Sequence, residues 1–227
     1  MKTLGRIVMS AILTALVAFS AQAAGEAKTK VLLISREGYS ADLDLMIKME
    51  VGVMKLLLNN ANLEVDVATT SGLPIVGTTE KIAGIKQLRN VRMEDYAGLI
   101  LACMAVGGAV QPYPAVPAEV IALVKQAVAD GKPVAANGNS PVVLAEAGVL
   151  KGRKYSFVRD PLKATEKVPF TFPAFQDGIY SGTGVVEDGT IITSAICPTL
   201  EKTQGMENGT VKLTKTFISA VRNVPRG

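Results

Sequence analysis

Histidine is absent from all 227 residues of this chain. Without it the chain cannot assemble a Ser-His-Asp or Cys-His catalytic group, or a histidine-ligated zinc centre. Cysteine is nearly as scarce: Cys103 and Cys197 are the two present, too few for a four-thiolate metal site. The two thiols with Met104 would suit Cu(I), but the eight methionines form no methionine-rich tract, so no metal and no cofactor is expected. An excess of one charge is also lacking. The 24 Lys and Arg stand against 20 Asp and Glu, a formal +4, with both signs interspersed. Short basic blocks such as Lys151-Gly-Arg-Lys154 read as solvated loop, and nothing in the charge pattern marks a nucleic-acid partner.

Long apolar runs are missing except at the start. Met1-Lys-Thr-Leu-Gly-Arg6 precedes the apolar stretch Ile7 to Phe19, and Ala21-Gln-Ala23 follows with a small-x-small pattern. Thirteen residues fall short of the roughly 20 that span a bilayer, so this reads as a secretory signal peptide cleaved after Ala23. Cleavage would remove Lys2 and Arg6 and no acids, leaving 204 residues at a formal +2. No later segment reads as a membrane span, and no Cys near Ala23 suggests a lipid anchor. The expected address is export: periplasmic in a Gram-negative host, otherwise secreted. Such compartments permit a disulfide. The remaining chain reads as a short leader (24–29), a single domain (30–222) and a tail (223–227), with no linker or internal repeat.

Within that domain, Lys30 to Ile34 reads as a central strand of the kind a parallel sheet buries on both faces. A helix from Asp42 to Asn60 is predicted from an apolar stripe at Leu45, Met46, Met49, Val53, Leu56 and Leu57. Strands follow at Leu63 to Ala68 and Tyr96 to Ala102, a helix at Pro117 to Asp130 and a strand at 133–136. Next come a helix from Pro141, a loop-rich stretch 155–178, a strand or hairpin at Ile179 to Val186, a strand at Thr190 to Ser194 and a helix at Lys212 to Val221. This alternation argues for a doubly wound, mostly parallel α/β sheet with helices on both faces, flavodoxin-like in class. A ligand would lie beyond the carboxyl ends of the strands, where Ser35 to Ser40, Ala102 to Ala105 and Asn137 to Ser140 converge.

The segment Lys132-Pro-Val-Ala-Ala-Asn137 runs into Gly138-Asn139-Ser140-Pro141, a strand, a sharp turn and a helix start. Turns of this kind display a nucleophile above a sheet, facing backbone N–H groups that hold an oxyanion. At this one the displayed residue is Gly138, which has no side chain. Ser140 before Pro141 reads as a helix N-cap, while Asn137, Asn139 and Ser140 together offer amides and a hydroxyl to a small polar ligand.

Val31 to Ile34, Glu50, the 99–104 strand end, the turn before Pro141, Ala147-Gly-Val-Leu-Lys-Gly-Arg153 and Glu187-Asp-Gly-Thr-Ile-Ile-Thr-Ser194 together resemble the ThiJ/PfpI superfamily. The resemblance implies the class I glutamine amidotransferase-like fold over about residues 29–222. It also implies a homo-oligomer, a dimer or larger. Members place a Cys at the elbow, often followed by His, and pair it with a Glu from the first long helix. The Glu falls on Glu50, the Cys on Gly138 and the His on Asn139, and a strand end that supplies oxyanion N–H groups falls on Cys103-Met104. The resemblance therefore implies the family's pocket without its elbow cysteine: Glu50, Cys103, Met104, Gly138, Asn139, Ser140 and Cys197 are its candidate residues.

Two readings follow. In the first the protein binds a small ligand, or serves as a stress-related accessory protein, without cysteine catalysis. In the second it is an enzyme for hydrolysis, carbonyl or thiol-redox chemistry, using Cys103 with Glu50 as acid–base partner. The alternative readings are Cys103 as a small hydrophobe or as one half of a disulfide with Cys197, and Glu50 as a surface acid.

Overall fold

The apolar run of β1 (Lys30–Ile34) is explained by what covers it. Val31 and Leu33 pack into one hydrophobic cluster and Leu32 and Ile34 into another, one on each face of a central sheet. The computed structural model describes residues 28–37, 43–102, 104–106 and 114–224. The expected signal segment, the leader up to residue 27, Cys103 and residues 225–227 lie outside the described residues.

After β1 comes one helical run in three parts: α1 (Leu43–Leu45), a π-helical segment (Met46–Val51) and α2 (Gly52–Asn60). There follow β2 (Glu64–Thr69), the antiparallel pair β3 (Ile75–Val76) and β4 (Lys81–Ile82), then β5 (Lys86–Gln87) and β6 (Leu99–Leu101). Next are α3 (Ala118–Ala129), β7 (Val134–Asn137) and α4 (Pro141–Glu146). The remainder holds β8 (Lys154–Tyr155), β9 (Ile179–Tyr180), β10 (Val185–Asp188), β11 (Ile191–Ser194), α5 (Pro198–Gln204) and α6 (Thr210–Asn223).

Seven strands form the main sheet in the order β10-β11-β7-β6-β1-β2-β5. Every pairing in it is parallel except β10 with β11. Helices α3 and α4 cover one face, and the three-part helical run with α6 covers the other. This is the doubly wound α/β architecture expected from the sequence. The strand order reverses between β1 and β6, and the carboxyl ends around that point form the crevice where such sheets take ligands. Among the described residues no helix is long and apolar enough to cross a membrane.

Three expectations need correcting. The buried face of the first helical run is Leu43, Met46, Ile47, Glu50, Val51, Met54 and Leu58, whereas Met49 is 44% and Leu56 59% exposed. A stripe read at 3.6 residues per turn fails here for two reasons. A polar residue, Glu50, occupies the buried face, and the π-helical segment has wider turns. Gly52 closes that segment: its N–H donates to Ile47 O, and a Cβ there would lie 2.9 Å from the same oxygen. Second, Ile179 to Val186 is neither one strand nor a hairpin. β9 pairs with β8 and β10 with β11, and Gly182 at φ +93 lies between them. Third, α5 has no counterpart in the sequence reading. It begins with Pro198 and stops at Gly205 in the left-handed region, the proline-first, glycine-after pattern that marks helices.

Candidate functional site

All four residues of β7 are buried, and the chain turns within Gly138, Asn139 and Ser140 into α4, whose first residue is Pro141. Gly138 has φ +63, a left-handed conformation in which a Cβ costs roughly 1–2 kcal/mol. Its N–H donates to Ser194 O at 2.8 Å and ties the turn to β11. The elbow is present as backbone geometry, and its tip has no side chain.

Ser140 does not cap α4. Its backbone is already helical, at φ −67 and ψ −17, and its side chain makes no capping hydrogen bond. The hydroxyl instead donates to Ala102 O at 2.7 Å and accepts the Met104 N–H at 2.9 Å. Asn139 Nδ2 donates to Val106 O at 2.6 Å. Both side chains therefore fasten the segment after β6 to the elbow. The Met104 N–H, at the strand end where the resemblance implies an oxyanion donor, is occupied by Ser140.

Glu50 enters from the π-helical segment and is 1% exposed. Its Oε1 accepts a hydrogen bond from Asn137 Nδ2 at 2.8 Å, and the same amide nitrogen donates to Thr210 Oγ1 at 3.0 Å. Asn137 thus joins the helical run on one side to the start of α6 on the other. Asn137 Oδ1 has no hydrogen-bond partner among the described residues, and neither has the hydroxyl of Ser194, its register partner on β11.

A cavity of about 170 Å³ opens beside the elbow, and Glu50, Gly138, Asn139 and Cys197 all line it. Met104 and Ser140 are buried but outside its lining. Cys103 lies outside the described residues, and so does its candidate pairing with the buried Cys197. Arg36 and Thr199 also line the cavity, together with apolar Met46, Val158 and Leu200. Arg36 sits at the strand end foreseen as part of the crevice. Thr199 and Leu200 belong to α5, whose short polar sequence carries no apolar period. Among the described residues no three His, Cys, Asp or Glu side chains are grouped to hold a metal ion. The cavity thus combines a buried acid, a basic group, polar side chains and an apolar wall, a composition suited to holding a small polar molecule.

Comparison with known proteins places this geometry in context. The model of the DJ-1/PfpI family matches residues 29–203. An uncharacterized protein of Methanocaldococcus jannaschii is 36% identical over 134 residues, a match that spans 58% of this chain and 60% of that protein. Among solved structures, the ThiJ/PfpI domain protein from Brachyspira murdochii superposes with a TM-score of 0.62 at 14% identity, covering 88% of this chain and 100% of that one. Drosophila melanogaster DJ-1beta gives 0.56 at 18% identity, covering 87% and 96%. At those identities the structural likeness is one of fold.

Proposed function

This chain belongs to the DJ-1/PfpI family, and from that premise we propose that it is an exported small-ligand-binding member that does not work through an elbow cysteine. The observation that carries this reading is Gly138, the side-chain-free residue at the tip of the elbow, in a chain without histidine. Two further features support it. The Met104 N–H is committed to Ser140, and the cavity beside the elbow is lined by a buried carboxyl that an amide already holds. Such a pocket retains recognition without a displayed nucleophile.

The test is turnover by the exported chain on ester, amide and α-oxoaldehyde substrates, with and without iodoacetamide. No enzyme-like turnover is expected. Turnover that iodoacetamide abolishes, and that Cys103→Ser also abolishes, would replace this reading with catalysis by Cys103 and Glu50. Export rests on the 1–23 pattern and predicts an N-terminus at Ala24 in protein recovered from the periplasm or medium. Recovery of protein starting at Met1 from that fraction would count against it. Self-association is proposed from the exposed Met49 and Leu56 on the outer side of the first helical run, and a monomeric mass by light scattering across concentration would refute it.

A further inference from the structure

Asn-Gly occurs twice in this chain, at Asn137-Gly138 and at Asn208-Gly209. Asparagine is among the thermolabile residues, and before glycine its side-chain amide is most open to attack by the next main-chain nitrogen, because no Cβ stands in the way. We infer that Asn208-Gly209 is a site of spontaneous succinimide formation in the folded chain, that Asn137-Gly138 is not, and that isoaspartate formed at residue 208 withdraws Thr210 from Asn137. Two structural demands bring the reactive pair together before α6. Asn208 Oδ1 accepts the Thr210 N–H at 2.9 Å, one of the first helix N–H groups that α6 cannot pair internally. Gly209 passes so close to β11 that a Cβ there would collide with Ser194 Oγ and lie 3.0 Å from Ser194 Cβ. The capping amide and the glycine are required for separate reasons, and their adjacency leaves the reaction open.

The same dipeptide meets opposite surroundings at its two positions. Asn137 is fully buried at the end of β7, its Nδ2 is shared between Glu50 Oε1 and Thr210 Oγ1, and the Gly138 N–H is held by Ser194 O. Solvent reaches Gly138 N only when an interior strand of the sheet opens. Asn208 is half-buried in the stretch 205–209, outside any helix or strand, and its Nδ2 donates to Glu201 Oε2 at 3.2 Å in an exposed contact. Attack there requires release of the Gly209 N–H from Ile196 O at 2.9 Å and of the Thr210 N–H from Asn208 Oδ1. Opening a loop costs far less than opening a core strand.

Gly209 N gives its proton to a solvent base and attacks Asn208 Cγ. The N–Cγ bond forms, the Cγ–Nδ2 bond breaks, and ammonia leaves with a proton from the medium. Water then opens the ring, at Cγ to give aspartate or at the main-chain carbonyl carbon to give isoaspartate. Aspartate keeps an acceptor oxygen for the Thr210 N–H. Isoaspartate lengthens the main chain by one carbon where Gly209 is wedged against Ser194. Thr210 is thereby displaced from the Asn137 amide that also holds Glu50.

The experiment is incubation of the folded chain in mildly alkaline buffer, followed by peptide mapping at Asn137 and Asn208, with cleavage by hydroxylamine, which cuts at a succinimide, as the second readout. Modification and cleavage at Asn208 are expected at least about tenfold faster than at Asn137, because the two openings differ in cost, and the two rates should converge in urea. Equal rates in the folded chain, or a rate at Asn208 that rises as steeply on unfolding as that at Asn137, would overturn the site. Asn208→Asp supplies the aspartate product alone, and Asn208→Ser cannot form the imide. The urea midpoint of the aged native chain should fall below that of Asn208→Asp in step with its isoaspartate content, while aged Asn208→Ser holds its midpoint. If the aged native chain and Asn208→Asp coincide, or aged Asn208→Ser falls as far, Thr210 keeps its place on Asn137 and that part of the inference is wrong.

Discussion

Asn137 Nδ2 lies 2.8 Å from Glu50 Oε1 and 3.0 Å from Thr210 Oγ1, and all three residues are buried. One amide at the end of β7 therefore restrains the acid of the cavity and the first residue of α6. Asn137→Leu keeps an approximate side-chain volume but removes the donor, so a buried acceptor on Glu50 loses this partner at a cost of about 1–3 kcal/mol. Urea unfolding should show that loss. The double variant Asn137→Leu/Glu50→Leu should be less destabilised than the two single changes added together, by about 0.5–3 kcal/mol of coupling. Strict additivity would mean that the contact contributes no pairwise stability.

Ser140→Ala separates two roles that a sequence cannot. As a helix cap Ser140 would be worth about 1 kcal/mol. As the group that donates to Ala102 O and accepts from Met104 N–H, its loss strands two buried backbone groups at about 1–3 kcal/mol each. A destabilisation above about 2 kcal/mol is expected, with Ser140→Thr retaining part of the bonding. A loss of about 1 kcal/mol or less would return Ser140 to the capping role.

The contrast at Ser140 shows where the sequence is legible. Continuous apolar strands such as Lys30–Ile34 and the strand-turn-helix around Gly138 are readable because burial and backbone angle act on adjacent residues. The parallel, doubly wound character of the sheet follows from the alternation of strands with helices, whereas the order of its strands comes from the fold. The partners of a side chain are not readable in this way. Ser140 before Pro141 has the local pattern of a cap, yet the Ala102 carbonyl just past β6, 38 residues earlier in the chain, claims its hydroxyl. Glu50 amid Met49, Val51 and Val53 is open to two local readings, a pocket acid or a surface acid, and the resemblance favours the pocket; the local stripe alone does not decide because the helical phase around it is π rather than α. Arg36 and Thr199 reach the same cavity from segments far apart in sequence, which only the folded chain brings together.

Away from the site, Asp66 on β2 sets part of the acid limb of stability. Burial alone would raise its pKa, but hydrogen bonds from Lys86 and Tyr96 outweigh it and hold the group below its ordinary 3.8. A depressed carboxyl contributes stability that is present above the unfolded value and is lost as pH falls through the folded one. Between about pH 5 and pH 2 the native chain should therefore lose more stability than Asp66→Asn does. Urea midpoints across that range measure the difference. Parallel curves for the two proteins would show that Asp66 has the same affinity for protons folded and unfolded.

Gly138 admits the sharpest manipulation. At φ +63 any Cβ is strained, so Gly138→Ala and Gly138→Cys should each destabilise by about 1–2 kcal/mol. Equal stability of both with the native chain would argue against the left-handed turn. The cysteine variant has a second consequence. It restores a thiol at the elbow tip, in the wall of the cavity that Glu50 also lines, and that thiol should be alkylated by iodoacetamide faster than the native Cys103 and Cys197, as peptide mapping would reveal. Rapid labelling at residue 138 would establish that small molecules enter this cavity from solvent. Labelling no faster than at the native thiols would mean the elbow is sealed, and a sealed elbow cannot serve as the ligand site proposed for it.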